Sequence, residues 1–400
     1  MTHTLRLLHR LRLLGALVGI AVVLLLSACG TSVVLAPTAA PAPSAAPAAS
    51  VPAQSTLPAA TVSLGAPIMR SASKWLPVAW SDLPGLNDDN LFEAWNAWLK
   101  SCEKPGPVFA LLCPEIRRLS IADAAQQLAW LHSRLQPYRV EPPDGSTSPG
   151  LLTAYFEPEF VARRSAGAGF ATPLYRLPTG LSAGKPWYSR RDIDTLPEAQ
   201  AALRGHDLLY LADPVDALLL QIQGSGRIRV TEDDGREHLV RLAYAGHNGQ
   251  PYSSVGRWLL QQGELRDASW PGMRAWIAAN PQRVRELLWQ NPRVVFFKEE
   301  ALSDFDANFG PRGAQGVPLT PGRSIAVDPT SIPYGTPVWL ASEGPSVTLN
   351  RLVLAQDTGS AIVGALRADY FVGWGAAAGE LAGRLKQPLR LWVLWPKPVQ

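Results

Sequence analysis

Residues 91–102, LFEAWNAWLKSC, follow Asn87-Asp88-Asp89-Asn90 and place Leu91, Trp95, Trp98 and Leu99 at helical spacing. The pattern predicts an amphipathic helix capped by Asn90, whose side-chain oxygen can accept from the free amides of the first turn. A second helix is predicted from about Ile121 to Leu135, capped by Ser120, because Ala124, Leu128, Leu131 and Leu135 recur on one face. The tryptophans of both helices read as core residues with large apolar area to bury. From about residue 150 the texture changes to short apolar or alternating runs broken by glycine and proline. LLTAYFEPEF, DALLLQIQGSGRIRV and REHLVRLAYAG read as strands joined by turns. Helical texture returns over 253–290, with candidates at Ser254 to Gln262, 271–279 and 281–290, and strands resume from 293 with VVFFK, SIAVD, PVWLA, LNRLVLAQD and LRLWVLW. Many short strands with long connections and few helices argue for a mainly β fold of closed or nearly closed barrels, not a doubly wound parallel sheet.

The ends of the chain carry a different pattern. Arg6, Arg10 and Arg12 precede an apolar run from Leu13 to Leu26, and small residues then lead into Cys29, which is the order of an export signal. A run of about 14 residues is too short for ~30 Å of hydrocarbon, so a permanent membrane helix is the weaker reading. Leu26-Ser27-Ala28-Cys29 resembles the lipobox of bacterial lipoproteins, in which cleavage after residue 28 leaves the cysteine as an acylated N-terminus. Several acyl chains make such an anchor stable. An ordinary cleaved signal with an incidental cysteine is the other reading. Gly30, where an aspartate would alter sorting, points by the same resemblance to the periplasmic face of an outer membrane. Residues 31 to about 64 contain no Asp, Glu, Lys or Arg and are rich in Ala and Pro, a spacer that could reach roughly 100 Å from the bilayer.

Charge adds an exclusion. Removing the three signal arginines from 37 basic residues leaves 34 against 33 acids, so the mature chain has no electrostatic footprint for nucleic acid. Cys102 and Cys113 remain in an exported context and are expected to pair, the alternative being two buried free thiols. No two of the six histidines stand in a metal-ligand spacing, so neither a metal nor another cofactor is expected. The remaining stretch of about 335 residues exceeds one usual core, so two domains are expected.

Candidate chemistry concentrates in GRSIAVDPTSIPYGTPVWL (322–340) and LVLAQDTGSAIVGALRADYFVGWG (352–375). Asp328, Asp357 and Asp369 stand at strand ends or in loops, with Gly359, Gly364, Gly373 and Gly375 allowing close approach of a ligand. Each aspartate alone is an ordinary turn former. Asp-Thr-Gly also occurs in aspartic peptidases, but their shared-proton mechanism needs a second such motif and none is present.

Taken in order, LLTAYFEPEF, LLLQIQGSGRI, RLAYAGHNGQPYSSVGRWL, the VFFKE run, VPLTPGRSIAVDPTSIPYGTPVWL and the segment with Asp357 and Asp369 resemble the membrane-bound lytic murein transglycosylase A family over residues 65–398. The C-terminal part of that family is called the 3D domain, after its three aspartates. The resemblance implies a double-psi β-barrel domain built from residues 65–159 and 291–400, with a second β-barrel domain inserted at 160–290 and a few N-terminal helices. A signal at 1–28 and a lipidated linker at 29–64 precede them. It implies a peptidoglycan lytic exotransglycosylase that cuts the β-1,4 bond between N-acetylmuramic acid and N-acetylglucosamine and leaves a 1,6-anhydromuramyl end. Because the attacking group is the sugar's own C6 hydroxyl, one carboxyl group can serve as acid and then base, whereas a hydrolase usually needs two.

The resemblance assigns the acid/base role to Asp369, whose aromatic neighbours are expected to raise its pKa. Asp357 is the second choice, shaping the loop and its hydrogen bonds, and Asp328 is structural or groove-lining. Tyr155, Gln221, Gln223, Ser225, Asn248 and Tyr252 are the expected sugar-binding residues, with Gly224 and Gly226 flanking Ser225. Implied partners are glycan strands, a membrane through Cys29, and cell-wall synthase or scaffold proteins. One segment departs from the family, whose pattern runs Gly-Gly-Ala-Ile-Lys-Gly where this chain has Gly359-Ser360-Ala361-Ile362-Val363-Gly364. Val363 in place of lysine changes the expected charge of the groove. The competing readings are a glycan hydrolase that leaves reducing ends and a non-catalytic wall-binding lipoprotein.

Overall fold

The structure, a computed structural model, describes residues 64–146, 149–181 and 185–398. The export segment, Cys29 and all but the end of the spacer lie outside them. No helix among the described residues is long and apolar enough to cross a membrane.

Two sheets account for the strands. The first takes β1 (Ile68–Met69), β2 (Lys74–Pro77), β3 (Leu135–Glu141) and β4 (Gly150–Glu157) from the N-terminal side. The second takes β5 (Glu159–Arg163), β6 (Thr172–Tyr175), β7 (Asp207–Leu211), β8 (Ser225–Thr231), β9 (Glu237–His247) and β10 (Val295–Ala301). The chain then returns to the first sheet with β11 (Ser324–Val327), β12 (Pro337–Glu343), β13 (Thr348–Asp357), β14 (Arg367–Trp374) and β15 (Lys386–Pro396).

In the first sheet the order β15-β12-β13-β11-β14-β4 closes on itself, because Lys386–Leu389 of β15 pair with β4 while Arg390–Val393 pair with β12. Closure removes the exposed edges that an open sheet would present. The second sheet runs β10-β9-β8-β5-β7-β6, and a bridge from Arg176 to Phe297 brings its two ends together.

The long apolar runs of β12, β13 and β15 follow from burial on both faces. Val338, Leu340, Val353, Ala355, Leu391 and Val393 point into the first barrel, and the residues that alternate with them, Trp339, Ala341, Leu352, Leu354, Trp392 and Leu394, face a helical layer. That layer is α1 (Leu91–Ser101), α2 (Cys113–Arg118) and α3 (Ala124–Arg134). Trp95, Trp98 and Trp130 cluster within it at ring-centroid distances of 5.3 to 5.6 Å, so these tryptophans are core.

Both predicted caps are corrected. Asn90 does not cap α1 with its side chain, and its Nδ2 donates to Glu93 instead. Ser120 donates to the Arg117 carbonyl, and α3 starts later, where Asp123 and Gln126 form a reciprocal capping box that serves two orphan groups at once. Cys102 and Cys113 are joined in a disulfide across a separation of 11 residues, with Cα atoms 5.6 Å apart. Replacing both cysteines with serine should lower unfolding free energy by about 2–3 kcal/mol in chemical denaturation, because the open chain regains loop entropy. An unchanged midpoint would show that the Trp cluster alone sets this layer.

Around the second barrel lie α4 (Arg190–Thr195), α5 (Pro197–Leu203), α6 (Pro214–Gln223), α7 (Val255–Gln261), α8 (Trp270–Ala279) and α9 (Val284–Trp289), and α10 (Gly375–Arg384) follows β14. Here the reading of DALLLQIQGSGRIRV as strands is corrected over its first part, since Pro214–Gln223 is helical and the strand begins at Ser225. Asp213 caps α6 with Pro214 in its first turn, and Gly224 stops it at φ 81°, a left-handed conformation that suits glycine. The 281–290 candidate divides into a 3-10 turn, Pro281–Arg283, and α9.

Two buried polar staples hold the helical layer against the barrel. Arg323, at the start of β11, donates to Asp89 and Glu93, and Gln356, near the end of β13, donates to Ala97 O and Ser101 Oγ. The second fixes the end of β13 that carries Asp357.

Candidate active site

The pairing register of β13, β11, β14 and β4 sets four residues in one row. Ala326 lies opposite Asp357 on one side and Asp369 on the other, and Asp369 lies opposite Thr153. Residues opposite one another share a face, so both aspartates and Thr153 project from the same side of the sheet, with only the Ala326 methyl between the carboxylates. Ile325 and Val327 point the other way, into the barrel core. A register shift between Ile325 and Ala326 marks a local irregularity of the kind that re-aims side chains near functional sites.

Asp357 and Asp369 are each partly buried, and burial raises the pKa of both. Their hydrogen bonds differ. Asp357 accepts from the Tyr155 hydroxyl at 2.8 Å and from the Ala314 amide at 2.9 Å, and the Thr358 amide also favours its ionised form. Asp369 accepts from the Thr153 hydroxyl at 2.5 Å, with Arg367 nearby, while the charge of Asp357 pushes its pKa further up. The Tyr155 phenol is held protonated by burial and by both carboxylates. Its ring packs 5.3 Å from that of Phe371.

Thr153 owes its orientation to Arg367. The guanidinium Nη2 donates to Thr153 Oγ1 at 2.8 Å, and since a guanidinium can only donate, the single threonine proton is turned toward Asp369. Replacing Thr153 with valine keeps the shape and removes that donor. The expected result is an upward move of the alkaline limb that Asp369 sets in a pH–rate profile, because the group must be protonated to act, and an unshifted limb would refute the coupling.

Asp328 has a different place. It is buried and accepts from the Thr330 amide and hydroxyl at 2.9 and 2.6 Å and from the Gly364 amide at 2.8 Å. Burial opposes its ionisation, but these donors outweigh it and its pKa falls below the ordinary carboxylate value. Its carboxylate thus ties down the loop between Asp357 and Asp369. Val363, in that loop, is 70% exposed.

The second barrel reaches the row through α6, where Gln223 Oε1 accepts from the Phe156 amide at 3.0 Å, one residue beyond Tyr155. Ser225 is buried at the start of β8, directly after the Gly224 turn. Gln221 accepts from Arg190 Nη2 at 2.6 Å. Asn248 is fully buried, donates to the Tyr188 and Pro292 carbonyls and accepts from the Val294 amide, so its amide is spent on holding β9, β10 and their flanking loop together. Tyr252 is partly buried in the segment that precedes α7. Gln223 therefore touches the strand that carries Tyr155, whereas Gln221 and Asn248 bond to residues of the second barrel and its flanking loops. A concavity of about 470 Å³ at the β6–β10 seam, lined by Arg176, Leu177, Phe297, Lys298 and Glu299 among others, holds none of these residues.

Sequence reasoning missed Thr153, Arg367 and Glu157. Glu157, fully buried at the end of β4, accepts from Arg227 Nε at 2.9 Å and Arg241 Nε at 2.5 Å. Both arginines also donate to the Phe309 carbonyl, and Arg227 lies 3.9 Å from the centre of the Trp374 ring. This cluster welds β4 and β14 of the first barrel to β8 and β9 of the second. A signal existed for all three, since Thr153 and Glu157 each stand two positions from Tyr155 and Arg367 stands two before Asp369, each pair on one strand face.

Comparison with known proteins accords with this architecture. Residues 151–298 match the MltA specific insert domain and residues 323–395 the 3D domain. A membrane-bound lytic murein transglycosylase A of Vibrio cholerae is 34% identical over 61% of this chain, a match that spans 65% of the relative's own length. The structure of a lytic transglycosylase, LtgG, of Burkholderia pseudomallei is 43% identical, with a TM-score of 0.55, covering 82% of this chain and 97% of that one. Escherichia coli MltA with bound chitohexaose is 25% identical, with a TM-score of 0.63, covering 83% and 94%. Two barrels with carboxylates on one rim thus place the molecule among the lytic transglycosylase folds. The chain belongs to the membrane-bound lytic murein transglycosylase A family.

Proposed function

We propose that the chain is a peptidoglycan lytic transglycosylase in which Asp369 is the sole acid/base. The observation that carries this reading is the inequality of the two neighbouring carboxyls. Asp357 has three donors favouring its anion, whereas Asp369 has one hydroxyl donor and the Arg367 charge set against the neighbouring anion, and on this difference the proton of the site is assigned to Asp369. Protonated Asp369 gives its proton to the glycosidic oxygen as the C1–O bond breaks. The C6 hydroxyl of the same sugar then closes on C1, and its proton returns to Asp369. Bonds and protons balance without water, leaving a 1,6-anhydro end. Asp357 stays ionised and stabilises the positive charge that builds at C1.

Peptidoglycan as substrate is supported by the names of the relatives and by the E. coli structure that holds chitohexaose, an amino-sugar oligomer. Sugar contacts are assigned to Tyr155, Gln223 and Ser225 at the meeting of the two barrels, with Gln221, Asn248 and Tyr252 behind them and Asp328 as the anchor of the loop. Cys29 is the lipid attachment point on an outer membrane, the residue-31-to-64 spacer the tether, and cell-wall synthases or scaffolds the partners of such an enzyme. The test is mass spectrometry of fragments released from intact wall, with anhydromuramyl ends expected. Reducing ends, or binding to the wall without soluble fragments, would overturn the proposal.

A further inference from the structure

Among the described residues four arginines are buried, and they are not alike. Arg227 and Arg241 share Glu157, and Arg323 is paired with Asp89 and Glu93. Arg190, only 8% exposed, forms no ion pair, although every Asp and Glu of the chain lies within the described residues. Its Nε donates to the Asn291 carbonyl, and its Nη2 donates to the Arg293 carbonyl and to Gln221 Oε1. A guanidinium taken out of water without a counter-charge is expensive, and neutral carbonyls do not supply the missing charge. Burial lowers its pKa to about 10, and only Asp194, at a distance, acts in the other direction.

The remaining donors point to the kind of ligand that would complete the group. Nη1 makes no hydrogen bond within the described residues and is not among the enclosed polar atoms left without a partner. Because Arg190 can only donate, Gln221 must turn its oxygen to it, so the Gln221 NH₂ is directed elsewhere, and it too has no partner among the described residues. Two donor groups and no acceptor remain at one place. Gln221 is two residues from Gln223, which bonds the backbone beside Tyr155, so this place is joined to the aspartate row by consecutive contacts.

We infer that Arg190 and Gln221 form a subsite for a carboxylate carried by the glycan strand, a substituent that muramyl units bear and chitin oligomers lack. This rests on the reading of the chain as a peptidoglycan transglycosylase. The carboxylate completes the buried cation with a charge-assisted, two-point contact and sets which sugar of the alternating strand lies over Asp369.

The test uses wild-type protein and two strand types, one bearing peptide stems and one stripped of them so that the lactyl carboxylate is free, each with its carboxylates intact or converted to neutral methylamides. Neutralisation is expected to raise KM about tenfold with little change in kcat. A rise in the stripped strands assigns the lactyl carboxylate, and a rise confined to peptide-bearing strands assigns the stem. Equal KM for intact and neutral forms of both would overturn the subsite, whereas no cleavage of any strand would overturn the transglycosylase reading itself. Arg190→Gln, with Arg190→Lys as the milder change, should abolish the preference, so that intact and neutral strands show the same KM. A preference that persists in a folded Arg190→Gln protein would also overturn it, and the wild-type comparison decides the matter if that variant does not fold.

Discussion

Asp369→Asn should lose about 10³-fold in turnover on intact wall, the scale of a removed general acid/base, and yet be more stable than wild type at neutral pH. Both effects have one origin. Burial, together with the Asp357 charge, raises the pKa of Asp369 against the opposing pull of Thr153 and Arg367. Below the ordinary carboxylate value the group is protonated in the folded and the unfolded chain alike, and the fold bears no cost. As pH rises from there through the raised value the unfolded chain ionises freely while the fold resists, so stability falls and the deficit persists above it. Asparagine keeps an oxygen for Thr153 to bond and never ionises. The difference in Tm between variant and wild type should therefore widen as pH rises above about 4. A variant that is inactive but less stable at every pH would point to a structural role for this carboxylate.

Glu157→Gln should destabilise the protein by about 3–5 kcal/mol, the cost of leaving buried charge uncompensated. Arg227 and Arg241 would lose their counter-charge and share one amide oxygen and the Phe309 carbonyl, with the face of Trp374 left to Arg227. Glu157 also lies two residues from Tyr155 and opposite Trp374 in the strand register, so loosening it disturbs the sheet that carries the aspartates. Equilibrium denaturation measures the effect. A loss below about 1 kcal/mol would mean that apolar contacts, not this ionic cluster, hold the barrels together.

How much of this was legible in the chain depends on the range of the interaction. Strands such as Ser324–Val327 and Thr348–Asp357 announce themselves because burial on both faces demands unbroken apolar runs, and Asp357 at a run's end is visible as a rim residue. Leu218-Leu219-Leu220 within α6 satisfies strand and helix alike, and only Asp213-Pro214 before it and Gly224 after it argue for the helix. The Ser120 cap failed because a reciprocal Asp123–Gln126 box, three residues on, serves more backbone groups. The bond from Thr153 to Asp369 spans 216 positions, and that from Arg190 to the Arg293 carbonyl spans 103. No local pattern encodes such pairs. They appear only when closure of the first barrel lays β4 beside β14 and when the loop before β10 folds over α4.

If one aspartate suffices because the sugar supplies its own nucleophile, digestion of intact wall in ¹⁸O-labelled water is the decisive measurement. Released fragments should end in unlabelled 1,6-anhydro rings, since water takes no part in the bond exchange. Labelled oxygen at the cleaved anomeric carbon would contradict the single-aspartate mechanism, because the nucleophile would then be water and a second catalytic carboxyl would be required.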